Sequence, residues 1–217
     1  MQGLELTMTD TDRTALLVVD IQNDFLPGGA LAVARGDEII TVVNALAERF
    51  ANVILTQDWH PAGHVSFAAS HPGVSPFETM ELAYGSQVMW PEHCVQGTYG
   101  AELAARLQVP HAQALIRKGY HAHTDSYSAF MEADRQTGTG LAGLLRERRI
   151  ERVYLCGLAT DFCVAWTALD AKAAGFDCVV IEDACRAIDN QGSLDRAMAN
   201  MCAAGVSFAR SESLLAG

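Results

Sequence analysis

Six short apolar runs recur along the chain, rich in β-branched residues and each stopping at Asp, Gly or Arg. They are TALLVVD (14–20), NVILTQD (52–58), ALIRKG (114–119), RVYLCG (152–157), CVVIED (178–183) and VSFAR (206–210). Between them, apolar residues recur with helical period in DEIITVVNALAERF (37–50), GAELAARL (100–107), LAGLLRERR (141–149), DFCVAWTALDAKAAG (161–175) and SLDRAMANMCAAG (193–205). Strands that are apolar on both faces need cover on both sides, so the alternation predicts a three-layer α/β/α sandwich around a six-stranded, mostly parallel sheet. Residues 59–98 and 119–137 are too long for simple turns, and connections of that size commonly carry function.

Composition narrows the picture. At 217 residues, half hydrophobic and about a fifth charged, the chain suits a single domain over 1–217, with 1–13 as a loose lead. A formal net charge of −11 and the lack of a basic run of five argue against nucleic acid and anionic membranes as partners. The start lacks a charged-then-apolar leader, and no apolar stretch reaches 18 residues, so a cytoplasmic location is expected. The six cysteines include no C-x-x-C pair, and reduced, buried thiols are the default expectation.

In an open parallel sheet, ligands bind beyond the carboxyl ends of the strands. Four runs end there with reactive groups: Asp20, Asp58, Lys118 and the turn GLATDFC that ends in Cys163. Thr160 or Asp161 is a natural N-cap for the helix that follows, which would put Cys163 in a first turn. There the helix dipole and Lys118 would lower its thiol pKa. Asp20 could take the thiol proton and return it to a leaving amine, an arrangement suited to acyl transfer from an amide. Taken singly, each residue has an ordinary alternative: Cys163 as inert packing, Lys118 as a solvated strand end, Asp20 as a turn residue.

The stretch DWHPAGH (58–64) and His93 add a carboxylate and imidazoles to the same end. Such donors suit zinc, iron or manganese, although D-x-H is short and loop histidines are common. Cys94 reads as a packing residue, HAHTD (121–125) as a polar loop, and His71 and His111 carry no functional argument. Phe25, Trp90 and Tyr127 are ordinary anchors or the walls of a flat slot for a planar aromatic ligand.

As a group, VVDIQNDFLPGGALAV, QDWHPAGHVSFAASH, WPEHCVQGT, KG followed by DSYSAF, and GLATDFCV resemble the nicotinamidases of the isochorismatase-like cysteine hydrolase superfamily. The resemblance runs from about Leu16 to about Phe208. It implies a parallel-sheet α/β fold and hydrolysis of nicotinamide through a cysteine thioester, and leaves open whether pyrazinamide is turned over as well. It assigns Asp20 as acid/base, Lys118 as its partner, Cys163 as nucleophile, and the Ala159 and Cys163 N–H groups as oxyanion hole, with a cis bond at Leu158–Ala159. Asp58, His60 and His93 match the ligands of one divalent ion, often zinc, that holds the pyridine nitrogen. Phe25, Trp90, Leu158, Ala159 and Tyr127 match the ring slot. Some relatives carry a further ligating histidine at a longer spacing from His60, which leaves His64 to bind directly or through water. A superfamily amidase acting on N-carbamoyl or ureido compounds would share Asp20, Lys118 and Cys163 without needing the metal donors. A non-catalytic ligand-binding relative is a third reading, and assembly into a homo-oligomer stays open.

Overall fold

The computed structural model describes residues 11–216. Of the expected loose lead over 1–13, residues 1–10 lie outside the described residues, while Thr11–Arg13 form one 3-10 turn. In chain order follow β1 (Thr14–Val19), α1 (Ile40–Ala47), β2 (Val53–Asp58), β3 (Thr79–Leu82), β4 (Gly85–Val88), β5 (Ala114–Lys118), α2 (Leu141–Glu147), β6 (Arg152–Leu158), α3 (Ala165–Ala173), β7 (Asp177–Arg186), α4 (Ser193–Ala203), β8 (Ser207–Ala209) and α5 (Glu212–Leu215). Among the described residues, no helix is long and apolar enough to cross a membrane.

All six expected strands join one sheet in the order β5-β2-β1-β6-β7-β8, and every neighbouring pair is parallel. Strand alternation sends Leu16, Val18, Tyr154, Cys156, Val179 and Ile181 to one face, where α1 covers them with Ile40, Val43 and Leu46. Ala15, Leu17, Val19, Val153, Leu155 and Val180 face the other way, against Leu145 of α2, Ala168 of α3 and Met201 of α4. The chain runs outward from β1 through β2 to β5, then returns to place β6 on the other side of β1. That reversal opens a crevice between the carboxyl ends of β1 and β6, the favoured ligand position in such sheets.

Two expectations need correction. GAELAARL forms no helix: a 3-10 turn covers Tyr99–Ala101, and beyond it the chain makes an isolated bridge at Leu103 and then a turn. Its polar backbone is used elsewhere, because Asn23 N–H donates to Glu102 O (3.0 Å) and Ala104 N–H donates to Ile21 O (2.9 Å). That pairing outweighs a propensity worth only tenths of a kcal/mol per residue. Inside the long connection 59–98 the structure builds an antiparallel hairpin, β3 with β4, that the weak alternation of TMEL and GSQV did not announce.

The crevice depends on one close approach. Gly157 in β6 pairs with Val19 and has φ of +124°, and a Cβ there would lie 2.1 Å from Val19 O. Substituting Gly157→Ala therefore forces β6 off β1 as well as straining the backbone, and it should cost about 3 kcal/mol or more. Urea denaturation checks this: the midpoint should fall with the slope unchanged.

Candidate active site

The strand register brings the charged groups together before any loop contributes. Asp58 and Lys118, the last residues of β2 and β5, are paired across those strands. Asp20 follows β1 with φ of +46°, a left-handed conformation uncommon outside glycine, and this turns its side chain back over the sheet edge. Thr56 fixes it there: its hydroxyl donates to Asp20 Oδ1 and accepts the Asp20 N–H. The Gln22 amide clips the same edge from the other side, donating to Asp58 O (2.8 Å) and accepting Asp58 N–H (2.8 Å).

Lys118 is fully buried. Its ammonium lies 2.9 Å from Asp20 Oδ2, pairs with Asp58 Oδ1, donates to Ser126 O (3.0 Å) and lies 3.3 Å from Cys163 Sγ. Burial alone would pull Lys118 down, yet the two carboxylates raise it well above the ordinary lysine value. Burial would raise Asp58, but Lys118 and His60 outweigh it and hold the carboxylate below its usual range. In Asp20 burial wins over Lys118, and its pKa is raised.

Cys163 sits in a π-helical turn, Thr160–Val164, that leads from β6 into α3. The expected cap is absent. The N-cap position falls on Ala159, and Asp161 instead accepts Ile188 N–H (3.0 Å), Asp189 N–H (2.8 Å) and the Ser193 hydroxyl, tying the loop before α4 to this turn. The Leu158–Ala159 peptide bond is cis. The sign of the thiol pKa also differs from the sequence expectation. Burial raises Cys163 well above the ordinary thiol value, Lys118 opposes this, and Asp20 and Asp58 add to it. A helix dipole contributes only about 0.3–1 kcal/mol, whereas burying an ion costs several kcal/mol. Asp20 Oδ2 accepts no well-formed hydrogen bond, and a carboxylate oxygen of Asp20 lies within 4.8 Å of the sulfur.

The imidazoles come in from the loops. Residues 94–96 run parallel to the chain leaving β2, with His60 N–H donating to Cys94 O (3.0 Å) and Gln96 N–H to His60 O (2.8 Å), and this brings His93 beside His60. His60 Nδ1 lies 2.8 Å from Gly119 O and His93 Nδ1 lies 2.8 Å from Pro91 O. A carbonyl only accepts, so both Nδ1 atoms carry hydrogen and both Nε2 atoms are left to face Asp58 Oδ2, at 3.6 and 3.8 Å. One carboxylate oxygen and two Nε2 lone pairs thus converge, at separations that metal–donor bonds of about 2.0–2.2 Å can span. These residues suit a divalent metal ion. Burial lowers His60 but Asp58 raises it further, for a net upward shift; burial takes His93 down to about 4. His64 is engaged at both nitrogens. Nε2 donates to His121 O (3.1 Å) and Thr124 O (3.2 Å), Nδ1 faces the Ser66 hydroxyl (2.7 Å), and the ring packs 4.3 Å from that of His60.

Asp58, His60 and His93 line one recess together with Cys163 and Ala159. Its walls are Phe25, Trp90 and Tyr127, as expected, together with Phe162, Leu31, Ile188 and Asp125. Trp90 Nε1–H donates to the Tyr127 hydroxyl (2.9 Å), and Trp90 meets Phe162 edge to face at 4.8 Å, which holds the walls at fixed angles. Leu158 is buried beneath them in the sheet core. Sequence reading passed over Phe162 and Asp125, although each stands within or beside a quoted motif, GLATDFC and DSYSAF. It had no signal for Leu31 and Ile188.

Comparison with known proteins agrees with this geometry. A curated nicotinamidase of Acinetobacter baylyi is 57% identical over 212 residues, covering 98% of this chain and 99% of that protein. The solved structure of an Acinetobacter baumanii nicotinamidase and pyrazinamidase superposes with a TM-score of 0.93 at 61% identity, covering 94% of this chain and 99% of the other. A Pyrococcus horikoshii pyrazinamidase solved with zinc superposes with a TM-score of 0.75 at 36% identity, covering 91% of this chain and 99% of the other. The isochorismatase domain family matches residues 14–213, and the chain belongs to that family.

Proposed function

We infer that the activity of this chain is that of a nicotinamidase: hydrolysis of nicotinamide to nicotinate and ammonia through a thioester on Cys163, by a single domain. One observation carries the reading. A single aromatic-walled recess is lined at once by the nucleophile and by three converging metal donors. An N-carbamoyl amidase would use Asp20, Lys118 and Cys163 but would leave Asp58, His60 and His93 without a purpose.

In this reading Asp58, His60 and His93 hold one divalent ion, zinc in the first instance, with iron or manganese as alternatives. When bound it supplies a Lewis-acid contact for the ring nitrogen of the substrate. Phe25, Trp90, Tyr127 and Phe162 flank the ring and exclude water. Asp20 takes the Cys163 thiol proton as sulfur attacks the carboxamide carbon. It then passes that proton to the leaving amine, and ammonia departs. Asp20 next takes a proton from the incoming water, which opens the thioester, and returns it to the sulfur as nicotinate forms. The Lys118 ammonium stays charged throughout and stabilises thiolate and carboxylate in turn. The Ala159 and Cys163 N–H groups are the proposed donors to the developing oxyanion. His64 braces His60 and binds no metal itself.

Ammonia release from nicotinamide tests this directly. Activity should be lost on chelation and return with zinc, iron or manganese, and Cys163→Ala should lower kcat by on the order of 10³-fold or more. Full activity in the alanine variant would remove Cys163 from the chemistry, and turnover untouched by chelation would make the three donors structural. Pyrazinamide should be hydrolysed in the same assay.

The titration of His60 gives a second test. Asp58 raises the His60 pKa, so metal must displace a proton from His60 at a higher pH than from His93, which lies at about 4. Zinc affinity, measured by competition with a chromophoric chelator, should therefore weaken as pH falls, approaching about tenfold per unit below the His60 value. An affinity flat from pH 8 to pH 6 would show that zinc displaces no proton from His60 in that range, against the raised pKa.

A further inference from the structure

Asp125 belongs to the recess but has no part in the mechanism above. It is buried at 2% exposure and lines the same space as Asp58, His60 and Cys163. Its two oxygens accept only from neutral donors, Oδ1 from Ser126 N–H (2.8 Å) and Oδ2 from the Gln87 side-chain amide (2.8 Å). No cation pairs with it among the described residues. A buried carboxylate satisfied by neutral donors alone keeps an uncompensated charge, which is costly in a low-dielectric interior.

The charges around the recess identify what compensates it. Asp20, Asp58 and Asp125 contribute three negative charges and Lys118 one positive charge, and the two imidazoles are neutral when they offer Nε2 to a metal. The remainder is two negative charges, which one divalent ion cancels. Without Asp125 the remainder would be one. Asp125 is not among the three donors assigned above, although one of its oxygens lies within 4.8 Å of donor atoms of His60 and His64, a grouping that could itself hold a cation. Its field nevertheless reaches both His60 and His93.

We propose that Asp125 is the compensating carboxylate of the metal centre: a non-ligating buried charge, held in place by Gln87 and Ser126, that matches the recess to a divalent cation and tightens its binding. The proposal rests on the metal-dependent reading above and extends it to a positioning residue on the 119–137 loop. It also gives the β3–β4 hairpin a role, because β4 carries the Gln87 amide that orients Asp125. The same amide donates to the Tyr127 hydroxyl (2.8 Å), so one side chain sets both a wall of the slot and the charge behind it.

The test measures zinc dissociation constants by chelator competition, together with melting temperatures in chelator and in zinc, for the intact chain and its variants. Asp125→Asn should weaken zinc binding about 10- to 100-fold. In chelator it should melt no lower than the unaltered protein, because an uncompensated charge has been removed. Gln87→Met, which keeps the carboxylate and removes its amide donor, should melt lower in chelator and gain more from zinc than the unaltered chain does. Equal zinc affinity in Asp125→Asn, or a drop in its melting temperature of the same size with and without zinc, would overturn the proposal and leave the functional reading intact. Should Asp125→Asn not fold, a zinc-induced gain in Gln87→Met no larger than that of the unaltered chain overturns it equally. If the unaltered chain itself binds no zinc, manganese or iron, the metal half of the functional reading falls, and this proposal falls with it.

Discussion

The ammonium of Lys118, sealed from solvent at the end of β5, is the contact on which both halves of the site depend. It touches Asp20, Asp58, Cys163 and the Ser126 carbonyl at once. Burying an ammonium alone costs several kcal/mol, so this lysine is stable only because two carboxylates enclose it. Those carboxylates are in turn tolerable inside the protein only because of the lysine. The two ends of the recess are therefore electrostatically one object. Asp58 gives one oxygen to Lys118 and turns the other to His60 and His93. Whatever charge enters on the imidazole side is felt at the sulfur through a single side chain.

Holding three charged groups and a thiol this close requires rigid supports, and the sheet supplies them. Asp58 and Lys118 are fixed by strand register, Asp20 by the end of β1 and the Thr56 hydroxyl, and Cys163 by a turn that Asp161 ties to the loop before α4. Gly157 lets β6 approach β1 closely enough for Asp20 and Cys163 to share one crevice. The loops then add what the sheet edge cannot: imidazoles, aromatic walls and a further carboxylate. This division, with reacting groups on strand ends and recognition on loops, keeps the chemistry at fixed distances while leaving the slot free to be shaped.

How much of this was legible in the sequence follows from the range of the forces involved. The strands could be read because burial on both faces leaves a continuous apolar run, and their ends then pointed to Asp20, Asp58, Lys118 and Cys163 as one group. GAELAARL was misread because its helical period is local, while its backbone partners, Ile21 and Asn23, lie some eighty positions away in the chain. The β3–β4 hairpin escaped notice because its strands are half exposed and alternate weakly. The role of His64 could not be read from its spacing to His60, since it depends on two carbonyls contributed by the 119–137 loop. Phe162 and Asp125 stood in plain view beside quoted motifs. What hid them was the lack of any local rule saying that the recess would fold around them.

The thiol shows where local reasoning gives the wrong sign and why the chemistry survives it. From the chain alone, a cysteine at the start of a helix beside a lysine should ionise easily. In the folded site, burial and the Asp20 and Asp58 charges outweigh Lys118, and the thiol pKa is raised. Asp20 is displaced upward as well, again by burial. Two acids whose affinities for a proton are both increased, and which lie within 4.8 Å of each other, are suited to exchange one proton between them without passing it to water. A permanently ionised sulfur would need no base, and it would then have no proton to return to the leaving amine. In the proposed mechanism, raising both groups together lets one carboxylate act as base during attack and as acid during departure, with Lys118 held at constant charge between them.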